Sequence, residues 1–367
     1  MFRNWYTVVF FSLAGLFLFI YIGASLRDAH QFAGWLLMAS LLSVALGLRQ
    51  YPLLKGYSFT IMIFAAVSLS MYYPQYFVTV GGFRLSRLIT PLLQVIMFGM
   101  GTSLSLKDFA GVVKMPRGVG AGLLCQFGIM PILAFVITKI FNFPNEVAAG
   151  IILIGCCPSG LASNVMTYLA RANLALSVSL TAVATVIAPL ATPFLMEQFA
   201  GQYVAIDFWA MMWDITKIVI IPITGGLIFN YFLYTKFKLL DKIMPVISMA
   251  GIVLILVVIT AAGRDNLLEV GGYLVVAVLI HNTFGYFLGY WVSRLLRMDE
   301  RDCRTIAIEV GLQNAGLGSA LALAMDKLAT VGLAAAVFGP LMNITGSSLA
   351  LWWRGRPLPE DVGKEED

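Results

Sequence analysis

GCCPSGLASNVMTYLARAN, residues 155–173, breaks what would otherwise be a good membrane-crossing helix. Pro158, Ser159 and Gly160 fall near the middle of an apolar run over residues 146–170. Proline removes a backbone donor and its ring clashes with the preceding turn, while glycine permits local unwinding. The run therefore reads as two half-helices, each crossing about half of a bilayer that a whole helix of roughly 20 residues would span. A second apolar run, 302–325, is interrupted in the same place. There, within IAIEVGLQNAGLGSA, residues 306–320, the break is made by Gly311, Gln313, Asn314 and Gly316. Two interrupted helices in corresponding positions point to the binding site of a transporter.

The composition agrees with a membrane setting. Of 367 residues, 60% are hydrophobic and 12% charged, against about 25% charged in ordinary soluble domains. Apolar runs fall at 6–25, 31–48, 57–73, 89–104, 119–140, 146–170, 174–196, 208–234, 243–262, 271–295, 302–325 and 329–353. Runs of this length exclude a β-barrel, whose strands are short and alternating. The first run is too long for the apolar part of a secretory signal, about 7–15 residues, and reads as a helix that stays. The net charge of +5 does not indicate nucleic acid, because Lys and Arg mark cytoplasmic loops in such proteins. With a cytoplasmic N-terminus, alternate loops carry most of the basic residues, among them Arg49, Lys107, Lys114, Arg171, Lys236, Lys238, Arg297, Arg301 and Arg304. The opposite side holds mainly Arg27, Arg84, Arg87, Lys139, Arg264 and Lys327. Both termini are therefore expected inside, in a multi-pass protein of the cell membrane.

The expected fold is an all-α polytopic membrane protein. Residues 1–56 form an extra N-terminal two-helix hairpin; 57–354 form the transporter unit; 355–367 are a disordered cytoplasmic tail. Without the hairpin ten spans remain, with the breaks in the fourth span and the ninth. An odd number of spans per half makes the halves, about 57–200 and 205–354, inverted in the membrane, so the breaks should cross near the midplane.

Charges inside the runs are few. Asp214 and Lys217, three residues apart, can neutralise each other on a helix. Glu309 is different: no Lys or Arg of its own run faces it from a neighbouring helical position. A lone carboxylate costs several kcal/mol in hydrocarbon, so it is either protonated or neutralised by a cation. Unwound backbone offers free carbonyls, tolerable only around a cavity or an ion. Carbonyls, hydroxyls, amide oxygens and one carboxylate are hard ligands, and one carboxylate suits sodium better than calcium. Half-helix N-termini left open at the breaks favour an anion. Cys125, Cys156, Cys157 and Cys303 show no C-x-x-C spacing, and His30 and His281 are too scattered for zinc; the cysteines read as small buried apolar residues.

GCCPSGLASNVMTYLARANLALSVSLTAV (155–183), followed by EVGLQNAGLGSALALA (309–324), resembles the bile acid:sodium symporter family. IMFGMGTSLSLKDF (96–109) and CQFGIMP (125–131) add to the likeness, which covers about 57–353. The resemblance implies ten helices in two inverted repeats, interleaved into a panel and a core that contains the crossed broken pair. It implies two sodium ions and no organic cofactor. The first site would use Ser163, Asn164, Ser177, Thr181 and Glu309; the second Gln126, Glu309, Val310, Leu312 and Gln313. The substrate implied is an organic anion, bile-acid-like, pantoate-like or another carboxylate, held beside the crossover. Ser159, Leu161, Asn314, Met342 and Asn343 match positions lining that space. The family commonly has Gly-Gly-Thr where this chain has Ser159-Gly160-Leu161, and bacterial members often have His where it has Met342. Both departures make the cavity more apolar and leave the substrate's identity open.

Rival readings are an intramembrane serine protease, with Ser159 or Ser163 as nucleophile and His281 as base, and a substrate-sensing receptor, for which no output domain is evident. His281 and Asn282, in HNTFGY, are expected to make structural hydrogen bonds. Asn343 begins a glycosylation pattern that a buried position would leave unused. The expected partners are lipid and the transported anion; the hairpin could also mediate homo-oligomers.

Overall fold

The computed structural model describes residues 2–26, 30–51, 54–105, 114–233 and 240–356. The tail beyond residue 356, and Arg27, Lys107, Lys236 and Lys238, lie outside them. In chain order the helices are α1 (Phe2–Leu26), α2 (His30–Leu48), α3 (Lys55–Tyr72), α4 (Ile89–Ser103) and α5 (Pro116–Phe141). A broken pair follows, α6 (Asn145–Cys156) and α7 (Leu161–Leu169), then α8 (Leu174–Ala200), α9 (Phe208–Phe232), α10 (Leu240–Ala262) and α11 (Arg264–Leu295). A second broken pair, α12 (Glu300–Gly311) and α13 (Ala315–Ala324), leads into α14 (Gly332–Arg354). Among the described residues, 8 helices are long and apolar enough to cross a membrane. The apolar stretches Phe32–Leu48 of α2 and Gly56–Tyr72 of α3 are shorter, α4 reaches spanning length together with the 3₁₀ turn Leu85–Leu88 before it, and the two broken pairs complete the set that the apolar runs predict. The protein is an all-α polytopic membrane protein. Between α3 and α4, β1 (Thr79–Val80) pairs antiparallel with β2 (Phe83–Arg84). Its turn uses Gly81 and Gly82 at φ of 57° and 83°, a conformation that side chains resist.

Two helices carry a wide π turn just before a proline: Cys125–Ile129 ahead of Pro131 in α5, and Thr216–Ile220 ahead of Pro222 in α9. A proline ring collides with the carbonyl four residues back, and an extra residue in the turn relieves the collision. In α5 that turn carries Gln126.

The first half of each broken pair is wrapped by protein. Every residue from Val147 to Cys156 is buried, as is every residue from Cys303 to Gly311. Glycine lets neighbours approach: a Cβ on Gly150 would lie 2.3 Å from the Val331 carbonyl oxygen, and one on Gly311 2.2 Å from the Tyr286 ring. By contrast α1 exposes Trp5, Tyr6, Val8, Leu16 and Phe19, as a lipid-facing helix does. The hairpin packs on α3: Ser40 Oγ donates to the Ala14 carbonyl (2.9 Å), Ser58 Oγ to the Ala45 carbonyl (2.7 Å), and the Tyr21 and Tyr72 hydroxyls share a hydrogen bond (2.8 Å).

Arg304 departs from its expected place in a loop. It is buried within α12, where its guanidinium donates to Glu300 Oε1 (2.8 Å) and to the Trp353 carbonyl at the end of α14 (3.1 Å). A carboxylate four residues back and a helix C-terminus supply the negative charge that lets it leave water. Asp214 and Lys217 form the expected ion pair at 2.7 Å.

Candidate functional site

The breaks meet. Ser159 and Gln313 form an antiparallel bridge, in which Asn314 N–H donates to the Pro158 carbonyl (2.9 Å) and Gly160 N–H to the Leu312 carbonyl (3.3 Å). Buried backbone groups need partners, and the carbonyls freed by unwinding find them. Thr192 Oγ1 donates to the Cys156 carbonyl (2.7 Å) and Gln126 Nε2 to that of Cys157 (2.7 Å). On the other side Asn282 Nδ2 covers the Gly311 carbonyl (2.7 Å) and Gln313 Nε2 that of Val310 (2.6 Å). Each break is thus held by an amide side chain from the long helix before it. Gln126 acts across 31 residues of chain and Asn282 across 29.

Glu309, 1% exposed, lies against the junction. Its Oε2 accepts from Ser159 Oγ (2.5 Å) and Thr181 Oγ1 (2.8 Å), and its Oε1 from Ser177 Oγ (2.5 Å). Ser177 Oγ also lies 2.8 Å from Asn164 Oδ1. Ser163 Oγ donates to the Gly160 carbonyl (2.7 Å) and stands 3.4 Å from Thr181 Oγ1. α8 supplies Ser177 and Thr181 one turn apart on one face. All five residues expected at the first site are therefore linked around one carboxylate, and its partners among the described residues are hydroxyls, with no cationic side chain.

The residues expected at the second site surround the same junction. Gln126 Nε2 donates to Gln313 Oε1 (2.7 Å), while Gln126 Oε1 is buried with no partner. Val310 and Leu312 are fully buried, their carbonyls covered as above. The arrangement is an oxygen-rich cluster centred on an acid, a donor set of the kind that suits a small hard cation.

The residues expected to line a substrate are less concentrated. Ser159 turns its hydroxyl onto Glu309 and is 1% exposed. Asn314 Oδ1 caps α13 by accepting from Leu317 N–H (3.0 Å), so that half-helix end is already covered, whereas no side chain caps α7. Asn343 Nδ2 bonds back to the Gly339 carbonyl (2.8 Å). Leu161 is half-buried and Met342 buried. Two cavities, of about 170 and 60 Å³, are lined by other residues, Asp207, Asp214, Met211 and Lys327 in the first and Met100, Thr185 and Thr224 in the second.

Nothing favours a protease. The Ser159 and Ser163 hydroxyls are engaged as above, and His281 Nε2 pairs with the Met130 carbonyl (3.0 Å). The hydrogen bonds of His281 and Asn282 are structural, as expected, but the cap that Asn282 places on Gly311 was not foreseen. The signal that the sequence offers is spacing: Gln126 and Asn282 stand 31 and 29 residues before the carbonyls they cover. The four cysteines are free and buried.

The sodium bile acid symporter family matches residues 90–270. The chain is 37% identical over 319 residues to an uncharacterized sodium-dependent transporter, YocS, of Bacillus subtilis (strain 168), covering 87% of this chain and 97% of that protein. It is 37% identical over 270 residues to the probable chloroplastic sodium/metabolite cotransporter BASS1 of Arabidopsis thaliana, covering 74% and 67%. It is 32% identical over 243 residues to the human ileal sodium/bile acid cotransporter, covering 65% and 69%. A chain so similar over nearly the whole of one sodium-dependent transporter, with its two broken helices joined at a buried acid, belongs to the sodium bile acid symporter family, whose members are transporters and not enzymes.

Proposed function

We propose that this protein is a symporter that couples inward movement of sodium to uptake of an organic anion by alternating access, in a cell membrane and with both termini cytoplasmic. The observation that carries this reading is Glu309, a fully enclosed carboxylate whose partners are hydroxyls. An ionised acid enclosed in this way needs a countercharge, and a mobile cation is one that transport can exploit. One sodium would be held by Ser163, Asn164, Ser177, Thr181 and Glu309. A second would be held by Glu309, the Gln126 and Gln313 amides, and the Val310 and Leu312 carbonyls. The unpartnered Gln126 Oε1 supports the second site, since a buried acceptor without a donor is what a cation would satisfy.

The inverted repeat draws support from the backbone. Each half has a long helix, α5 or α11, and then a broken pair, and each of these ends at a left-handed residue: Asn142 and Arg171 in one half, Arg297 and Asp326 in the other. In this scheme the core carrying the crossover would move against the panel and expose the ions and the anion to each side in turn. The relatives' names speak for bile acid or metabolite cargo. Leu161, Asn314, Met342 and Asn343 beside the junction would favour a carboxylate with an apolar body.

The test is uptake into proteoliposomes of a panel of labelled organic anions, bile acids, pantoate and small carboxylates among them, with and without an inward sodium gradient. At least one should accumulate only with the gradient; a panel indifferent to sodium would refute the proposal.

A further inference from the structure

We propose that Ser159 is itself an oxygen ligand of the cation at Glu309, a ligand supplied by the unwound segment and not by a helix. The assignment rests on Glu309 being the sodium site proposed above. Four oxygens define the place. Ser159 Oγ is 2.5 Å from Glu309 Oε2 and 3.4 Å from Thr181 Oγ1, and Ser163 Oγ is also 3.4 Å from Thr181 Oγ1. Hydroxyl–oxygen hydrogen bonds run about 2.5–3.0 Å, so the two 3.4 Å separations are too long to be good ones. They match another geometry. Oxygens around a calcium-sized ion sit at about 2.3–2.6 Å, so adjacent corners of an octahedral shell lie roughly 3.4 Å apart; the three hydroxyls stand at that spacing, while the contacts of Ser159 and Thr181 with Glu309 are hydrogen bonds that must lengthen when an ion enters. A hydroxyl has one proton and two lone pairs. Ser159 and Thr181 spend their protons on the carboxylate and Ser163 its proton on the Gly160 carbonyl, which leaves lone pairs on all of them for a cation.

Ser159 is also fixed well enough to act as a ligand. Its backbone is bridged to Gln313, the residues on either side bond across the junction, and the side chain is 1% exposed. The same bridge ties its position to the second broken stretch, so ion binding at Glu309 and the geometry of the crossover report on each other.

The experiment uses the full chain purified in detergent, with no organic substrate. Sodium chloride is titrated against choline chloride at constant ionic strength, and the thermal midpoint is followed; lithium is titrated in the same way. The wild type should be stabilised saturably by sodium. Ser159→Ala and Ser159→Cys, the second keeping the side chain's shape with a soft sulfur, should each weaken apparent sodium affinity about tenfold or more, the scale on which supporting groups alter metal sites. Both should also change the ratio of lithium to sodium affinity, which a packing defect alone would not do. Unchanged sodium affinity and selectivity in both variants, beside a saturable wild type, overturns the role of Ser159 and leaves the Glu309 site standing. A wild type indifferent to sodium overturns both.

Discussion

Glu309 concentrates the chemistry of this chain because one carboxylate serves three hydroxyls from two different stretches: Ser159 in the first break, and Ser177 and Thr181 on α8. Glu309→Gln keeps the shape and removes the charge. Its amide oxygen can still accept from a hydroxyl, so the variant should fold, while the sodium-dependent rise in thermal midpoint should disappear. A variant that kept the wild-type sodium response would show that the charge is not what binds the ion. Much of this residue-scale picture was legible beforehand, because a lone acid in an apolar run demands an explanation wherever it occurs. The direction of Ser159 was not. A hydroxyl beside an unwound turn can face a cavity or the opposite chain, and only the antiparallel bridge to Gln313 points it at Glu309.

The broken helices depend on close packing as much as on their Pro and Gly. Gly311 ends α12 where the Tyr286 ring of α11 lies over it, and a Cβ there would fall 2.2 Å from ring carbons. Gly311→Ala is therefore expected to cost about 1–3 kcal/mol, the usual penalty for overpacking, read as a lower thermal midpoint without sodium. Combined with Tyr286→Ala, which removes the ring, the same substitution should cost much less; strict additivity of the two changes would contradict the contact. The breaks themselves could be read from Pro158, Gly160, Gly311 and Gly316. The π turns could not be read so directly. Pro131 and Pro222 signal a disturbance in α5 and α9, but whether the helix kinks, ends or widens depends on what packs around it. In α5 the wide turn holds the residue that reaches the Cys157 carbonyl.

At the scale of the whole molecule, the N-terminal hairpin joins the rest through α3 and not through the junction, by way of Ser58 and Tyr72. Deleting residues 1–54 should therefore leave sodium-driven uptake intact and lower the thermal midpoint; loss of the sodium dependence would place the hairpin within the coupling machinery. Membrane character, the number of apolar elements and the positions of the two breaks were determined by the sequence itself, because backbone groups in lipid must be satisfied within a helix, and a full break in an apolar helix is therefore marked by its residues. The mutual satisfaction of the two breaks was decided only in three dimensions. Gly160 pairs with Leu312, Asn314 with Pro158, and Gln126 and Asn282 cap carbonyls about 30 residues away, at 31 and 29. Local sequence can state that a donor or acceptor has been freed. Which distant partner takes it up is settled by packing, since a hydrogen bond between remote segments exists only once the intervening helices have brought them together.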